Sequence, residues 1–158
     1  MIVIRLAEMT EEEFTSYLAL AIDDYARAHV AAGRWTAEEA HAESEKEFRA
    51  LLPGGLHSEN QHIHALVDAA TSQRVGMIWF EVREKGGQQE AWIWDFHVWD
   101  EFQGRGYGRQ ALLALDDAVR QLGLRRIGLH VFADNQAARH LYDTSGYVPT
   151  NIVMRKNL

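Results

Sequence analysis

The stretch Gln103-Gly104-Arg105-Gly106-Tyr107-Gly108 lies between a strand-like segment and a helix-like one, and it constrains the fold more than any other part of the chain. Before it, residues 90–98 are rich in aromatic and branched side chains, which predicts a strand. After it, apolar residues recur every three or four positions up to Leu122, which predicts an amphipathic helix closed by Gly123. The sequence therefore predicts a glycine-rich turn from a strand into a helix.

This turn also predicts a binding site for an anion. A helix that begins directly after a strand has unpaired N–H groups in its first turn, and its dipole adds partial positive charge there. Both effects favour phosphate. The glycines at 104, 106 and 108 have no Cβ, so the backbone can approach a diphosphate closely and adopt positive φ. Arg105 and Arg109 can add charge-assisted hydrogen bonds.

The sequence of this loop does not match the motifs of two familiar phosphate-binding folds. A dinucleotide-binding fingerprint requires a further glycine where this chain has Arg109, and the early strand of that fold is missing. A P-loop requires Gly-Lys followed by Ser or Thr, and the chain has no such sequence.

The rest of the chain predicts a layered α/β fold. Two capping boxes, Thr10 with Glu13 and Thr36 with Glu39, predict the beginnings of two helices. Strands are expected at residues 2–6, 62–67, 75–83, 90–98, 127–132 and 152–155, and a short helix at residues 135–145. Because no linker or repeat interrupts this order, we expect a single domain over residues 1–158.

Composition limits the class of protein. Hydrophobic residues make up 47% of the chain and charged residues 25%, as in soluble globular proteins. No apolar run reaches the about 18–20 residues that a membrane span needs, and the first residues do not form a signal peptide. Cysteine is absent, which excludes disulfides and thiolate sites. We therefore expect a cytoplasmic protein without a membrane partner.

Charge argues against nucleic acid as a partner, because the net charge is −7 and a nucleic-acid surface requires a basic face. The charge is unevenly divided. Residues 1–69 carry 5 Lys or Arg against 13 Asp or Glu, whereas residues 70–158 carry 11 against 10. The acidic first part would attract a cation, and the nearly neutral second part can accommodate an anionic ligand.

A second motif follows the glycine loop and its helix. It comprises His130-Val131-Phe132-Ala133-Asp134-Asn135, then Ala138, Leu141-Tyr142 and Gly146-Tyr147. In this order the two motifs resemble motifs A and B of the GNAT superfamily of acetyl-CoA-dependent N-acetyltransferases, and the two N-terminal helices fit as well. The resemblance covers nearly the whole chain. It implies a mixed, mostly antiparallel sheet flanked by helices and splayed at its two central strands.

The resemblance also implies roles for individual residues, with acetyl-CoA as the acetyl donor and no metal. The backbone of Phe96, His97 and Val98 would bond the pantetheine arm, and Asn135 and Ala138 would lie along it. Tyr142 would be near the thioester sulfur as the general acid. The pyrophosphate would lie on the glycine loop, formed by Gln103, Gly104, Arg105, Gly106, Tyr107, Gly108 and Arg109.

The general base remains open between several residues. Many family members have a glutamate where this chain has His130, and histidine can act as a base near neutral pH. Asp95 and His97 compete with it, since strand alternation puts them on one face unless a bulge intervenes. We rank Asp95 and His130 equally, with His97 behind them.

The acceptor side is expected at the first two helices. Their acidic and aromatic residues suit a cation, which predicts a positively charged primary amine on a small molecule or peptide: Asp23, Asp24, Tyr25, Trp35, Glu38 and Glu39. The alternative is a GNAT-fold sensor or binding module that holds acyl-CoA without turnover. His62 and His64 would share a strand face, but no third ligand follows, so no metal site is expected. Dimers are common among such folds, so a homodimer is an expected assembly.

Overall fold

A computed structural model describes residues 1–158 and contains one five-stranded sheet with four α-helices. The strands are β1 (Ile4–Glu8), β2 (Gln61–Asp68), β3 (Arg74–Lys85), β4 (Gln88–Val98) and β5 (Ile127–Leu129). The helices are α1 (Glu11–Ala31), α2 (Ala40–Leu51), α3 (Tyr107–Gln121) and α4 (Gln136–Asp143). The strand order is β1-β2-β3-β4-β5, and every pair is antiparallel except β4 with β5. The predicted mixed, mostly antiparallel sheet flanked by helices is confirmed.

Both predicted capping boxes are formed. The Thr10 hydroxyl accepts from the Glu13 N–H at 3.1 Å, and the Glu13 carboxylate accepts from the Thr10 N–H at 3.3 Å. The same reciprocal pair joins Thr36 and Glu39 at 3.3 and 3.0 Å. These bonds satisfy donors that a helix start would leave unpaired, which fixes where α1 begins and where the turn into α2 begins.

The strand alternation of β3 divides the core between the two faces of the sheet. Ile78 and Phe80 point to the face covered by α3, where they belong to a cluster with Leu112 of that helix. Met77 and Trp79 point to the opposite face, covered by α1 and α2. Each face of the sheet therefore has its own apolar layer, and a gap in the sheet would connect the two sides.

The C-terminal part differs from the expectation. The predicted strand over residues 152–155 is wrong, because residues 147–158 have no regular secondary structure and Ile152, Val153 and Met154 are exposed. The predicted strand over residues 127–132 is shortened to β5. Apolar, β-branched residues become a strand only where a neighbouring strand pairs with them, and none pairs with the tail. None of the four helices is long and apolar enough to cross a membrane.

Candidate active site

The sheet opens between β4 and β5 because β4 contains a bulge at Trp94. Trp79 of β3 pairs with Asp95, but the next residue, Phe80, pairs with Ile93, so Trp94 has no partner in the ladder. The parallel pairing with β5 ends at Ile93. Bulges bend a strand and increase its twist. The two strands therefore separate directly beyond the bulge.

The bulge also exposes backbone groups of β4 to this gap. Before it, the N–H of Ala91 donates to the carbonyl of Arg126, towards β5. Beyond the strand end, the N–H of Trp99 donates to Val75, towards β3. By alternation, the backbone groups of Phe96 and Val98 point into the gap. The backbone groups of Phe96 and the N–H of Val98 form an open edge for an extended ligand with amide groups, whereas the Val98 carbonyl accepts a hydrogen bond from the Gln103 side chain.

The glycine loop borders the same gap. Gly104 has φ 73° and Gly106 has φ 89°, which are left-handed conformations that favour glycine. Gly106 is the N-cap of α3, and no side chain caps this helix start. The first N–H groups of α3 are therefore without a side-chain acceptor and suit an anion.

Other residues of the loop have structural partners. A Cβ at Gly108 would lie 3.1 Å from Leu141 Cδ2, so this glycine lets α3 pack closely against α4. The Tyr107 hydroxyl is buried and donates to Asp68 Oδ2 at 2.7 Å, which ties the start of α3 to β2. Any contact of Tyr107 with a ligand in the gap would therefore be through its backbone.

Two long side chains of the loop, Arg109 and Gln103, bond to other parts of the protein, whereas Arg105 does not. Arg109 donates to the carbonyl and hydroxyl oxygens of Thr144 at 3.1 and 2.9 Å, which ties α3 to the end of α4. Gln103 donates to the carbonyl of Val98 at 2.8 Å, which braces the loop against β4. Arg105 is exposed and has no ion-pair partner. It is therefore the loop arginine free to contact an anion.

Tyr142 of α4 lies within electrostatic range of Asp95 of β4, beyond the point where the pairing of β4 with β5 ends. Tyr142 is half-buried, and burial, followed by the negative charge of Asp95, raises the pKa of the Tyr142 phenol to about 12. The hydroxyl therefore keeps its proton at neutral pH. Asp95 belongs to the face covered by α1, and Tyr142 packs on the cluster at the opposite face. They interact because β5 does not continue beside Asp95.

Sequence reasoning missed a third member of this cluster, Tyr17 of α1. Its hydroxyl donates to Asp95 Oδ2 at 2.7 Å. Tyr17 lies 78 positions before Asp95, and its place in the apolar stripe of α1 does not distinguish it from residues that serve packing alone. No signal in the sequence alone could have identified this contact.

The two histidine candidates for the base are placed less favourably. His130 follows β5 in an irregular, exposed segment, and its ring packs on Phe132 with centroids 4.9 Å apart. It makes no side-chain hydrogen bond, and it is not on a strand as expected, because β5 ends at Leu129. His97 shares a face with Asp95, as alternation predicts, because the bulge precedes both residues. Its exposed ring lies 5.2 Å from that of Trp99.

The second motif begins α4. Asn135 is the N-cap, and its Oδ1 accepts from the N–H of Ala138 at 3.3 Å. The side-chain N–H₂ group of Asn135 has no protein partner and remains available as a donor.

The acidic and aromatic residues expected at the acceptor largely pair among themselves. Asp23 contacts His41 at 2.9 Å, and Tyr25 donates to Glu47 Oε2 at 2.7 Å. Asp24 pairs with Arg27, and Glu39 is used in the second capping box. The contacts of Asp23 with His41 and of Tyr25 with Glu47 join α1 to α2.

A different aromatic surface lies next to Asp95. Trp94 is 40% exposed at the bulge, its ring lies 6.2 Å from that of Trp79, and its Nε1 donates to Glu81 at 2.8 Å. The bulge turns this side chain outward, and no sequence pattern predicted its position.

The histidine pair on β2 is packed against an aromatic ring. The rings of His62 and Phe80 are stacked with centroids 4.7 Å apart, and burial lowers the pKa of both His62 and His64. No group of three or more His, Asp or Glu side chains is arranged to hold a metal ion.

Comparison with known proteins identifies the family and agrees with this fold. The acetyltransferase (GNAT) family model matches residues 22–147, and the chain belongs to this family. It is 43% identical over 155 residues to the uncharacterised N-acetyltransferase YycN of Bacillus subtilis, covering 98% of this chain and 99% of that protein. It is 37% identical over 153 residues to YdgE of the same organism, an uncharacterised N-acetyltransferase, covering 97% of each.

Solved structures give the same result for the fold. The crystal structure of YycN matches with a TM-score of 0.87 and 42% identity, covering 99% of both chains. The structure of AAC(6')-Iy with the bisubstrate analogue CoA-S-monomethyl-acetylneamine matches with a TM-score of 0.61 and 14% identity, covering 100% of this chain and 98% of that one. The latter likeness supports the fold alone. The family resemblance drawn from the two motifs is thus confirmed.

Proposed function

We propose that this protein transfers an acetyl group from acetyl-CoA to a primary amine by direct attack of the amine on the thioester. The observation that carries the proposal is the end of the β4–β5 pairing at Ile93, beside the Asp95 carboxylate, whose charge raises the pKa of the Tyr142 phenol. One group can accept a proton and the other can donate one, as amide formation from an ammonium and a thioester requires.

The gap has the features that a bound acetyl-CoA needs. The open backbone edge at Phe96 and Val98 suits the amide groups of the pantetheine arm, and the free amide of Asn135 lies at the start of α4 beside Ala138. The positive-φ glycines, the uncapped start of α3 and Arg105 suit the pyrophosphate. When bound, acetyl-CoA supplies the activated acetyl thioester.

The base addresses the largest barrier to the reaction. A lysine-like amine has a pKa of about 10.4, so roughly one molecule in 2,500 is neutral at pH 7, a handicap of about 4.6 kcal/mol. Asp95 accepts the proton, directly or through a water molecule, and the neutral amine then attacks the thioester carbonyl. We assign the base to Asp95 rather than His130, because His130 is exposed and lies outside the cluster.

Proton transfer to Asp95 also makes Tyr142 a stronger acid. The negative charge of Asp95 contributes to the raised pKa of Tyr142. Once Asp95 has taken a proton, that charge is gone, so Tyr142 becomes a stronger acid. It can then protonate the departing thiolate of CoA, and the second proton of the amine, released as the amide forms, returns to Tyr142 through water. Base and acid are in this way coupled through their electrostatic interaction, without a metal or a covalent enzyme intermediate.

The acceptor is proposed to be a cationic amine of a small molecule or peptide. The net charge of −7 favours its approach, and Trp94 with Glu81 and Asp95 offers aromatic and acidic groups beside the gap. This surface replaces the loop between α1 and α2 as the proposed acceptor site. A single domain over residues 1–158 and a cytoplasmic location remain predictions of the same proposal.

Release of CoA in the presence of a panel of amines tests the proposal. The protein has no cysteine, so a thiol-reactive dye detects only the CoA that is set free. We expect release that depends on an amine and is faster for cationic amines than for neutral analogues. Acetyl-CoA binding without amine-dependent release would instead favour the alternative, an acyl-CoA-binding module without turnover.

A further inference from the structure

A tyrosine on the first helix reaches across to the strand that carries the proposed base. The Tyr17 hydroxyl donates to Asp95 Oδ2 at 2.7 Å. Tyr17 itself is half-buried and packs on the apolar cluster that contains Met77 and Trp79. Because its ring is held by this packing, the hydroxyl has a fixed position relative to β4.

Tyr17 remains a hydrogen-bond donor over the pH range in which the protein would work. Burial raises the pKa of its phenol well above the usual value, and the charge of Asp95 and the hydrogen bond raise it further. Tyr17 therefore cannot act as a base. Its hydroxyl has one proton to donate, and that proton is directed at Asp95.

The two oxygens of Asp95 have different surroundings. Oδ2 accepts the bond from Tyr17, whereas Oδ1 receives no hydrogen bond from the protein and is not among the buried, unpartnered atoms. Oδ1 is therefore open to solvent at the gap. A carboxylate fixed through one oxygen presents the other in a defined direction, which is what proton transfer from a bound amine requires.

We propose that Tyr17 is a positioning residue that holds the Asp95 carboxylate with Oδ1 directed at the acceptor amine. The proposal rests on the proposed acetyl transfer. Through this hydrogen bond a residue of α1 sets the geometry of the proposed base on β4.

The hydrogen bond also has an electrostatic consequence. The Tyr17 hydroxyl is a donor aimed at the Asp95 carboxylate, and such a donor stabilises the charged form of a carboxylate. The other ionisable groups near Asp95 are Tyr142 from α4, His97 on the same face of β4, and Glu81 of β3, which is bonded to Trp94. All of these groups are retained when Tyr17 is replaced by phenylalanine.

The test compares Tyr17→Phe with Tyr25→Phe. Both tyrosines belong to α1 and both donate to a carboxylate at 2.7 Å, but the partner of Tyr25 is Glu47 on α2. In Tyr17→Phe we expect kcat/KM at pH 7 to fall about tenfold, through kcat, and its pH profile to differ from that of the wild type. The KM for acetyl-CoA should be unchanged. Tyr25→Phe should leave the pH profile as in the wild type.

A second measurement does not depend on activity. The carboxyl ¹³C signal of Asp95, identified by its absence in Asp95→Asn, is compared at pH 7 in wild type and Tyr17→Phe. We expect its chemical shift to change in the variant, because the hydrogen bond from Tyr17 is lost. An unchanged chemical shift in folded Tyr17→Phe overturns the positioning role, whether or not an acceptor amine has been found. If the chemical shift changes but the wild type transfers no acetyl group, the proposed function fails and the hydrogen bond from Tyr17 to Asp95 stands.

Discussion

The glycine loop and the Tyr17–Asp95–Tyr142 cluster lie at the same gap but are built in opposite ways. The loop is a continuous stretch, Gln103–Arg109, whose backbone conformation is set by its own glycines. The cluster joins three elements, α1, β4 and α4, through side chains far apart in the sequence. The loop can therefore be recognised locally, whereas the cluster exists only after the sheet has formed and opened. Binding of the donor and chemistry should respond separately to substitution.

The largest expected effect separates chemistry from binding. Asp95→Asn removes the proton acceptor but keeps the size and polarity of the side chain. We expect kcat to fall about 10²–10⁴-fold, the usual contribution of a general base, with acetyl-CoA affinity unchanged. Initial rates and calorimetry measure the two quantities. Asp23→Asn, at an exposed position of α1 that contacts His41 of α2, is the control and should retain full activity. A variant at Asp95 with normal kcat would remove this residue as the base.

The second prediction concerns the acid. Tyr142→Phe should lower kcat about 10²-fold and leave acetyl-CoA affinity nearly intact, because the ring still packs against that of Tyr147. Since the pKa of Tyr142 is about 12, the wild-type rate should not fall through loss of this proton up to about pH 10. A pH–rate series with both proteins measures this. Unchanged turnover in the variant would mean that the leaving thiolate is protonated by another group.

The third prediction concerns the loop alone. Gly106→Val places a branched side chain at φ 89°, which costs about 1–3 kcal/mol, and fills the space proposed for the diphosphate. We expect acetyl-CoA to bind at least about tenfold more weakly by calorimetry.

Gly87→Val is the matched control for this substitution. Gly87 has φ 76° in the β3–β4 hairpin, and a Cβ there meets nothing within 4 Å. Both variants should lose stability, by about 2–4 °C in Tm for each kcal/mol, but only Gly106→Val should lose affinity. Equal affinity in the two variants would contradict the assignment of the loop.

The smallest effect distinguishes the two arginines of the loop. Arg105→Ala should weaken acetyl-CoA binding a few fold, about 1 kcal/mol, in a salt-dependent way and without a change in Tm. Arg109→Ala should instead lower the free energy of unfolding by about 1 kcal/mol, because it removes the bonds to Thr144. Parallel calorimetry and thermal unfolding separate the two. The reverse pattern would exchange the roles of these residues.

The sequence predicted the features that depend on neighbours along the chain. The two capping boxes, the glycine turn and the apolar stripe of α3 follow from spacing within a few residues, and all are present. The family resemblance added the sheet and its splay. These features are local or are shared by a whole family, so one sequence is enough to find them.

The remaining features depend on contacts between distant segments. The bulge at Trp94 cannot be predicted from a run of aromatic residues, because the run fits a regular strand equally well. Glycine is needed at position 108 because a side chain there would crowd Leu141 of α4. The hydrogen-bond partner of Asp95 is Tyr17, on α1. The C-terminal residues 152–155 have strand-forming side chains but no neighbouring strand to pair with. In each case the deciding neighbour is remote in the sequence.

Transfer of a labelled acetyl group from acetyl-CoA to a cationic amine, followed side by side in wild type and Asp95→Asn, tests the central claim most directly. Acetyl-CoA is held at a concentration that saturates both proteins by calorimetry, so a difference in rate reports chemistry rather than binding. Labelled amide that accumulates with the wild type, and at least about 10²-fold more slowly with Asp95→Asn, is the predicted result. Equal rates would contradict the role of the cluster, and saturated wild-type protein that forms no amide with any amine would contradict acetyl transfer itself.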